Sequence, residues 1–204
     1  MDIIVVNTSG TEFAQIEKYL SHVSKARRAA VLKKGSDNDK VQSLVAALLV
    51  RLELSERLGI PQNKLVFEKG THGKPYVKGS DMQFSLSHTN GAVCAAFSDS
   101  GEIGVDIEMK DRRVSEKLKQ RTLSEREREI VQTDEDFIRI WVKKEAFLKR
   151  TGIGLATQLC GADTTIISDI AAFDCGRYFV GAAGKNANDA EIKTLDLSEL
   201  LARL

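Results

Sequence analysis

Apolar positions change their period along the chain, and the changes divide it into elements. Residues 3–6, Ile-Ile-Val-Val, form a β-branched apolar run that predicts a buried strand. The stretch 12–34 is rich in Ala, Lys and Arg and predicts a helical region. Ser36-Asp37-Asn38-Asp39 punctuates it and offers N-cap residues for a second helix over 40–58. There Val41, Leu44, Val45, Leu48, Leu52 and Leu58 recur at helical spacing; Gly59 ends the helix and Pro61 prevents its return. Between 83 and 108 the period falls to two. Gln83-Phe84-Ser85-Leu86-Ser87 alternates, Thr89-Asn90-Gly91 turns, and 92–97 forms a second apolar run. After Ser98-Asp99-Ser100-Gly101 a third run covers 103–108, and the three predict an antiparallel meander. Helices return over 114–150 with breaks near Leu123-Ser124 and Thr133-Asp134, where Ser124 and Glu127 match a capping box. In the last of them Phe137, Ile140, Trp141 and Leu148 make an apolar stripe, with Gly152 as its C-terminal cap. Short strands are predicted at 164–167, 178–182 and 191–195. The class is α+β, with helices and strands in both parts of the chain.

Composition narrows the choice of function. Lys and Arg number 30 against 29 Asp and Glu in 204 residues, a net charge of +1, which argues against coating nucleic acid. The longest apolar runs, 45–50 and 92–97, are far short of the roughly 20 residues of a membrane span. An acid at position 2 stands where a signal peptide would carry positive charge. Cys94, Cys160 and Cys175 are odd in number and widely spaced, so reduced thiols and a cytoplasmic setting are expected.

Three segments carry candidate chemistry. In Gly104-Val105-Asp106-Ile107-Glu108 alternate side chains share a strand face, so Asp106 and Glu108 point one way and Val105 and Ile107 toward the core. Two carboxylates on one face suit a hard cation such as Mg²⁺; the alternative is a solvated face. Trp141, Glu145 and Lys149 stand at i, i+4 and i+8 and form one helix stripe, which taken alone is more often structural. Ser87 and His88 end a strand and enter a turn, where a hydroxyl, an imidazole and backbone amides can hold an anion; Gly73-Lys74-Pro75 alone is a turn. Basic residues cluster twice, at Lys25, Arg27, Arg28, Lys33, Lys34 and at Arg112, Arg113, Lys117, Lys119, Arg121. Such clusters are usually solvated helix faces, but they also suit phosphates or an acidic protein surface.

The order of these segments carries more than any one of them. Gly-Lys-Pro, Phe-x-x-Ser-His, Gly-Val-Asp-Ile-Glu, Trp-x-x-Lys-Glu-Ala-x-x-Lys and Gly152-x-Gly154-Leu155 together resemble the 4′-phosphopantetheinyl transferase superfamily, in its longer surfactin-synthetase-activating type. The resemblance spans 73–155 and reaches weakly back to the 40–51 helix. It implies two pseudo-symmetric α+β halves, divided here as 1–102 and 103–204, with the active site at their interface and the metal site in the second. The implied activity is Mg²⁺-dependent transfer of 4′-phosphopantetheine from the substrate coenzyme A to a serine of an apo acyl or peptidyl carrier protein with an acidic surface, by a monomer, with Mn²⁺ as an alternative ion. By the same resemblance Asp106, Glu108 and Glu145 are metal ligands, and Lys149 steadies the transferring phosphate. Lys74, Ser87 and His88 contact coenzyme A. Arg121-Thr122-Leu123-Ser124-Glu125-Arg126-Glu127 resembles an R-x-x-S-x-x-E stretch that makes Glu127, alongside Glu145, a candidate base. Arg27 fills one basic position expected near the N-terminus, whereas Ala29-Ala30 stand where further basic residues occur in relatives. A non-catalytic homologue that binds coenzyme A or a carrier protein, and a different Mg²⁺-dependent phosphotransferase or hydrolase, are the competing readings.

Overall fold

A computed structural model of the chain describes residues 1–70, 73–152 and 159–204. The Gly154-Leu155 part of the last motif lies outside the described residues. Strand β1 (Asp2–Asn7) is followed by a short helix α1 (Phe13–Ile16), a 3₁₀ turn over Glu17–His22, and α2 (Lys25–Leu32). The single helical region expected over 12–34 is therefore broken. Ser24, extended at φ −61° and ψ 156°, restarts the helix by accepting a hydrogen bond from Arg27 N–H.

Helix α3 (Asp37–Leu58) begins on Ser36, whose side chain accepts from Asp39 N–H, and ends on Gly59 in the left-handed region. The hairpin β2 (Phe67–Lys69) and β3 (Pro75–Val77) leads to β4 (Gln83–Thr89) and β5 (Ala92–Ser98). The second part of the chain holds β6 (Gly104–Met109), α4 (Glu116–Thr122), α5 (Glu125–Ile130), α6 (Asp134–Thr151), β7 (Ile170–Cys175), β8 (Tyr178–Ala183), β9 (Glu191–Asp196) and α7 (Leu197–Ala202).

Beside the two-stranded β2–β3 hairpin, two larger sheets result among the described residues, and they correct the expected meander. The first has the order β4-β5-β1-β9 and the second β6-β8-β7. Strand β5 already has β4 on one side and β1 on the other, so β6 has no free edge of β5 to join and starts a new sheet against β8. The segment 164–167 is a turn, not a strand; the strand lies at β7, unforeseen, antiparallel to β8. The division after residue 102 falls between β5 and β6, but β9 returns to pair in parallel with β1, and α7 packs beside α3.

The buried residues show four layers. Ile4, Val6, Phe84, Val93, Ala95 and Phe97 face α3 across the main core. Ile3, Val5, Cys94 and Ala96 on the opposite face meet Val105, Ile107, Val180 and Ala182 of the second sheet. The far face of that sheet carries α6 through Phe137, Val142 and Phe179. The order is α3, first sheet, second sheet, α6.

Helix α6 lies unusually close to its sheet. A Cβ on Gly104 would stand 1.9 Å from Ala146 O, and one on Gly181 would stand 2.0 Å from Val142 O. Val142 and Ala146 are one turn apart, and Gly181 pairs directly with Asp106 in the β6–β8 ladder. The two glycines thus form a seat for one helix face, beside the carboxylate of Asp106. Gly181→Ala is expected to destabilise the fold by about 1–3 kcal/mol or more through overpacking against backbone. Gly35→Ala, with nothing within 4 Å of the added carbon, should stay within about 0.5 kcal/mol of the parent. Urea denaturation of both variants checks the contrast.

Candidate active site

The edge strands β4 and β6 run beside one another without a backbone ladder between them. Side-chain hydroxyls on alternate residues of β4 replace it. Ser85 Oγ accepts from Val105 N–H at 3.1 Å, Ser87 Oγ donates to Asp106 Oδ1 at 2.7 Å, and Thr89 Oγ1 donates to Glu108 Oε2 at 3.2 Å. The two-residue period of β4 matches the advance of β6, so one row of hydroxyls meets backbone, then carboxylate, then carboxylate.

Helix α6 closes the site from the far layer. Lys149 Nζ, in its last turn, donates to both Asp106 Oδ1 and Ser87 Oγ at 2.7 Å. Asp106, Ser87 and Lys149 therefore form a closed triangle joining β6, β4 and α6. Glu145, one turn earlier, faces the same carboxylates: burial first, and then the Asp106 charge, push it up to about 7, with Lys149 opposing and Glu108 adding. Burial likewise raises Glu108, while Arg112 lowers it, Asp106 raises it and the Thr89 bond lowers it. Arg112 is ion-paired with Glu108, and its guanidinium lies 5.4 Å from the centre of the Trp141 ring. Trp141 joins the partly buried packing around Phe137, so it backs the site from the protein side.

The donor set fits a divalent cation. Asp106 Oδ2 and Glu145 Oε1 are buried and accept no hydrogen bond, which is costly unless a positive group fills the place. Carboxylate oxygens are hard donors of the kind Mg²⁺ takes, and Mg²⁺ is commonly held by one or two carboxylates plus phosphate and water. Among the described residues no three His, Cys, Asp or Glu already stand at metal-holding spacing. The cluster is thus an open half-shell.

A groove leads from the cluster into the first part of the chain. One cavity of about 360 Å³ is lined by Arg27, Lys74, Ser85, Leu148 and Lys149 among others. A second, of about 470 Å³, is lined by Arg27, Lys33, Lys34, Ser43 and His88 among others. Arg27 borders both; its Nη2 donates to Ser43 O at 2.9 Å, while its Nε is buried without a partner. Desolvation in the groove pushes the His88 imidazole below its ordinary value, and Lys149, Lys34 and Arg27 push it further against the pull of Asp39. The two cavities share Arg27 and Leu86, are rich in cationic side chains, and reach Lys149, the partner of Asp106, which suits a long phosphate-bearing ligand.

Two expected site residues are employed otherwise. Lys74 Nζ donates to Ile103 O at 2.9 Å and Arg150 O at 3.0 Å, so it clamps the entry to β6 against the end of α6 while still bordering the groove. Glu127 joins neither Asp106, Glu108, Glu145 nor Lys149. It is fully buried, 2.6 Å from Lys144 Nζ, and its oxygens also accept from Ser124 N–H, Thr164 N–H and Thr164 Oγ1, each at 2.8 Å. Every acceptor position of that carboxylate is filled, which leaves none for a substrate proton and argues against a base role. Lys144 completes the network by donating to Leu159 O and Ala162 O. The sequence analysis missed the roles of Ser85, Thr89, Lys144 and Thr164, and it placed Arg112 in a basic cluster without its pairing to Glu108. Ser85 and Thr89 could have been found, since they share the alternating face of Ser87.

The chain is similar to known proteins along most of its length. Residues 102–180 match the family described as 4′-phosphopantetheinyl transferase superfamily, and residues 10–100 match the one described as 4′-phosphopantetheinyl transferase, N-terminal. It is 32% identical over 144 residues to 4′-phosphopantetheinyl transferase gsp of Aneurinibacillus migulanus, covering 66% of this chain and 58% of that protein. It is 30% identical over 150 residues to 4′-phosphopantetheinyl transferase Sfp of Bacillus subtilis (strain 168), covering 70% and 66%. To 4′-phosphopantetheinyl transferase psf-1 of Bacillus pumilus it is 30% identical over 165 residues, covering 76% and 69%. The chain thus spans less than two thirds of the first two of these proteins.

The closed Glu127–Lys144 network generates a stability prediction. Glu127→Ala strands a buried ammonium and should cost about 3–5 kcal/mol. Replacing both partners together, as Glu127→Leu with Lys144→Met, should cost less than the single change. Chemical denaturation of the three proteins gives the comparison; a neutral Glu127→Ala would contradict the network.

Proposed function

From the premise that the chain belongs to the 4′-phosphopantetheinyl transferase superfamily, we propose that it moves 4′-phosphopantetheine from coenzyme A to a serine of an apo acyl or peptidyl carrier protein, releasing 3′,5′-ADP. The observation that carries this reading is Lys149, which borders the cationic groove and bonds Asp106, beside two buried and unpartnered carboxylate oxygens of Asp106 and Glu145. A module kept only to bind coenzyme A has no physical need of such oxygens. Asp106, Glu108 and Glu145 are the residues to hold Mg²⁺, or Mn²⁺ in its place. When bound, the ion neutralises pyrophosphate charge and charge developing on the leaving group.

The rest falls to the chain itself. Arg27, Lys33, Lys34 and His88 line the cavity where phosphate groups of coenzyme A would lie. Lys149, held by Asp106 and Ser87, offers its remaining positive field to the phosphate that changes partners. The serine oxygen forms a bond to that phosphorus as the bond to the 3′,5′-ADP oxygen breaks. Its proton needs an acceptor, and with Glu127 committed elsewhere Glu145 is the remaining candidate base. Arg113, Lys117 and Arg121 are exposed and supply a basic face for an acidic carrier. Internal pseudo-symmetry, with α3 across β4–β5 and α6 across β6–β8, belongs to the same proposal, as do the division near residue 102 and action as a monomer. The three cysteines are free, which supports a cytoplasmic setting. Among the described residues no helix is long and apolar enough to cross a membrane.

Intact-mass spectrometry of a panel of apo carrier proteins, incubated with this protein, coenzyme A and Mg²⁺, tests the proposal. One added phosphopantetheine is expected, absent with EDTA and with Asp106→Ala, whose circular dichroism should match the parent. Carrier binding without any mass gain across the panel would favour the binding-module reading. Lys149→Ala should lower kcat about a hundredfold while changing coenzyme A binding far less, because its charge matters most as the leaving group departs. Steady-state kinetics beside calorimetric binding separates the two effects, and weakened binding at an unchanged kcat would reduce Lys149 to a binding contact.

A further inference from the structure

We infer that Ser85, an unspecified position within the Phe-x-x-Ser-His motif, is a positioning residue that sets where the Asp106–Glu108 carboxylate pair stands. The inference rests on the transferase reading above and adds a residue to it.

Strand β4 is fixed on one edge by a seven-residue ladder to β5, and β6 on one edge by a six-residue ladder to β8. Their other edges face each other, and no backbone bond crosses between them. The relative position of the two sheets at the site is therefore left to side chains. Following β6 from its start, Ile103 O receives Lys74, Val105 N–H goes to Ser85 Oγ, the Asp106 carboxylate takes Ser87 and Lys149, and the Glu108 carboxylate takes Thr89.

Among these contacts the Ser85 bond is distinct. It is the one in which a β4 side chain grips the backbone of β6, and it does so at the residue directly before Asp106. Bonds from Ser87 and Thr89 reach the carboxylates at the ends of rotatable side chains, so they follow the carboxylates and do not hold the strand. Ser85 is itself buried, at 7% exposure, and Val105 is completely buried. Without Ser85 the Val105 N–H would be a buried donor with no partner, and the strand would be free to move to find one. Any slide of β6 past β4 carries the Asp106 and Glu108 carboxylates away from Ser87 and Thr89, the β4 hydroxyls that orient them. Supporting groups of this kind typically change metal affinity or activity by about 10–100-fold when removed.

The test uses the full chain as wild type, Ser85→Cys, Ser85→Ala and Ser85→Thr. Cysteine keeps the size but is a weak acceptor, whereas threonine keeps the hydroxyl. Mn²⁺ alone is titrated in and its free signal followed by electron paramagnetic resonance, beside carrier-labelling kinetics and thermal melts. Ser85→Cys is expected to weaken Mn²⁺ binding and lower kcat, each by about 10–100-fold, with the coenzyme A KM within about twofold. Ser85→Thr should return both values toward wild type. A serine that merely stabilises the fold would lower Tm and leave Mn²⁺ affinity and kcat unchanged; that result overturns the inference. If Ser85→Cys fails to fold, Ser85→Ala gives the same comparison. In wild type the Val105 amide must also be protected from hydrogen exchange, and rapid exchange there overturns the role without any variant. A wild type that binds Mn²⁺ but labels no carrier refutes the transfer function and leaves the Mn²⁺ comparison standing. A wild type that labels carriers while Ser85→Cys matches it refutes the role of Ser85 alone. A wild type that binds no Mn²⁺ overturns both.

Discussion

Helix α6 rests directly on the backbone of the second sheet, and the site depends on that contact. Gly104 and Gly181 leave no side chain between the sheet and the carbonyls of Ala146 and Val142. Any other residue there would lift the helix by a substantial fraction of an atomic diameter. Lys149 would then lose its 2.7 Å bond to Asp106, and Glu145 would lose the burial and, after it, the carboxylate field that raise its proton affinity. Gly104, Asp106 and Glu108 alternate along one face of β6. The same face that admits the helix therefore presents the acids to it.

The second constraint acts at the seam between β4 and β6. Two sheets meet edge to edge at β4 and β6 through side-chain hydroxyls in place of backbone hydrogen bonds. A continuous ladder would have fixed the spacing but would have filled the seam with backbone. Side-chain bridging leaves Ser85 on the wall of the groove that Arg27, Lys74 and Lys149 also border. Like-charged acids stay together there because Lys149 and Arg112 offset part of the repulsion and burial favours protonation of the rest. The unpartnered oxygens that remain are the open valence of the site.

Much of this could be read from the sequence, for identifiable reasons. Strand β1, helix α3, the β4–β5 hairpin and the three-part run α4–α5–α6 follow from period, caps and turns, all of which are local. The alternation in 104–108 and the i, i+4 spacing of Glu145 and Lys149 correctly group those residues, because one strand face and one helix stripe suffice to define them. What could not be read is pairing at a distance. The separation of β6 from β5 depends on β1 already occupying the far edge of β5, and β9 joins β1 from almost two hundred residues away. Glu127 misled for a related reason. Its capping-box position is visible locally, but its burial against Lys144 and Thr164 is set by a segment some 37 residues later. Ser85 shares the alternating face of Ser87, but the group its hydroxyl meets, Val105 N–H, is set by the facing strand.

The central claim is that carboxylates from β6 and α6 converge on one cation. A crystal of the full chain grown with coenzyme A and Mn²⁺, measured at the manganese edge, tests it most directly. The account predicts a single anomalous peak at about 2.0–2.3 Å from oxygens of Asp106, Glu108 and Glu145, with phosphate oxygens completing the shell. A peak away from these carboxylates, or Lys149 still bonded to Asp106 with no peak beside it in the presence of bound coenzyme A, would contradict the account.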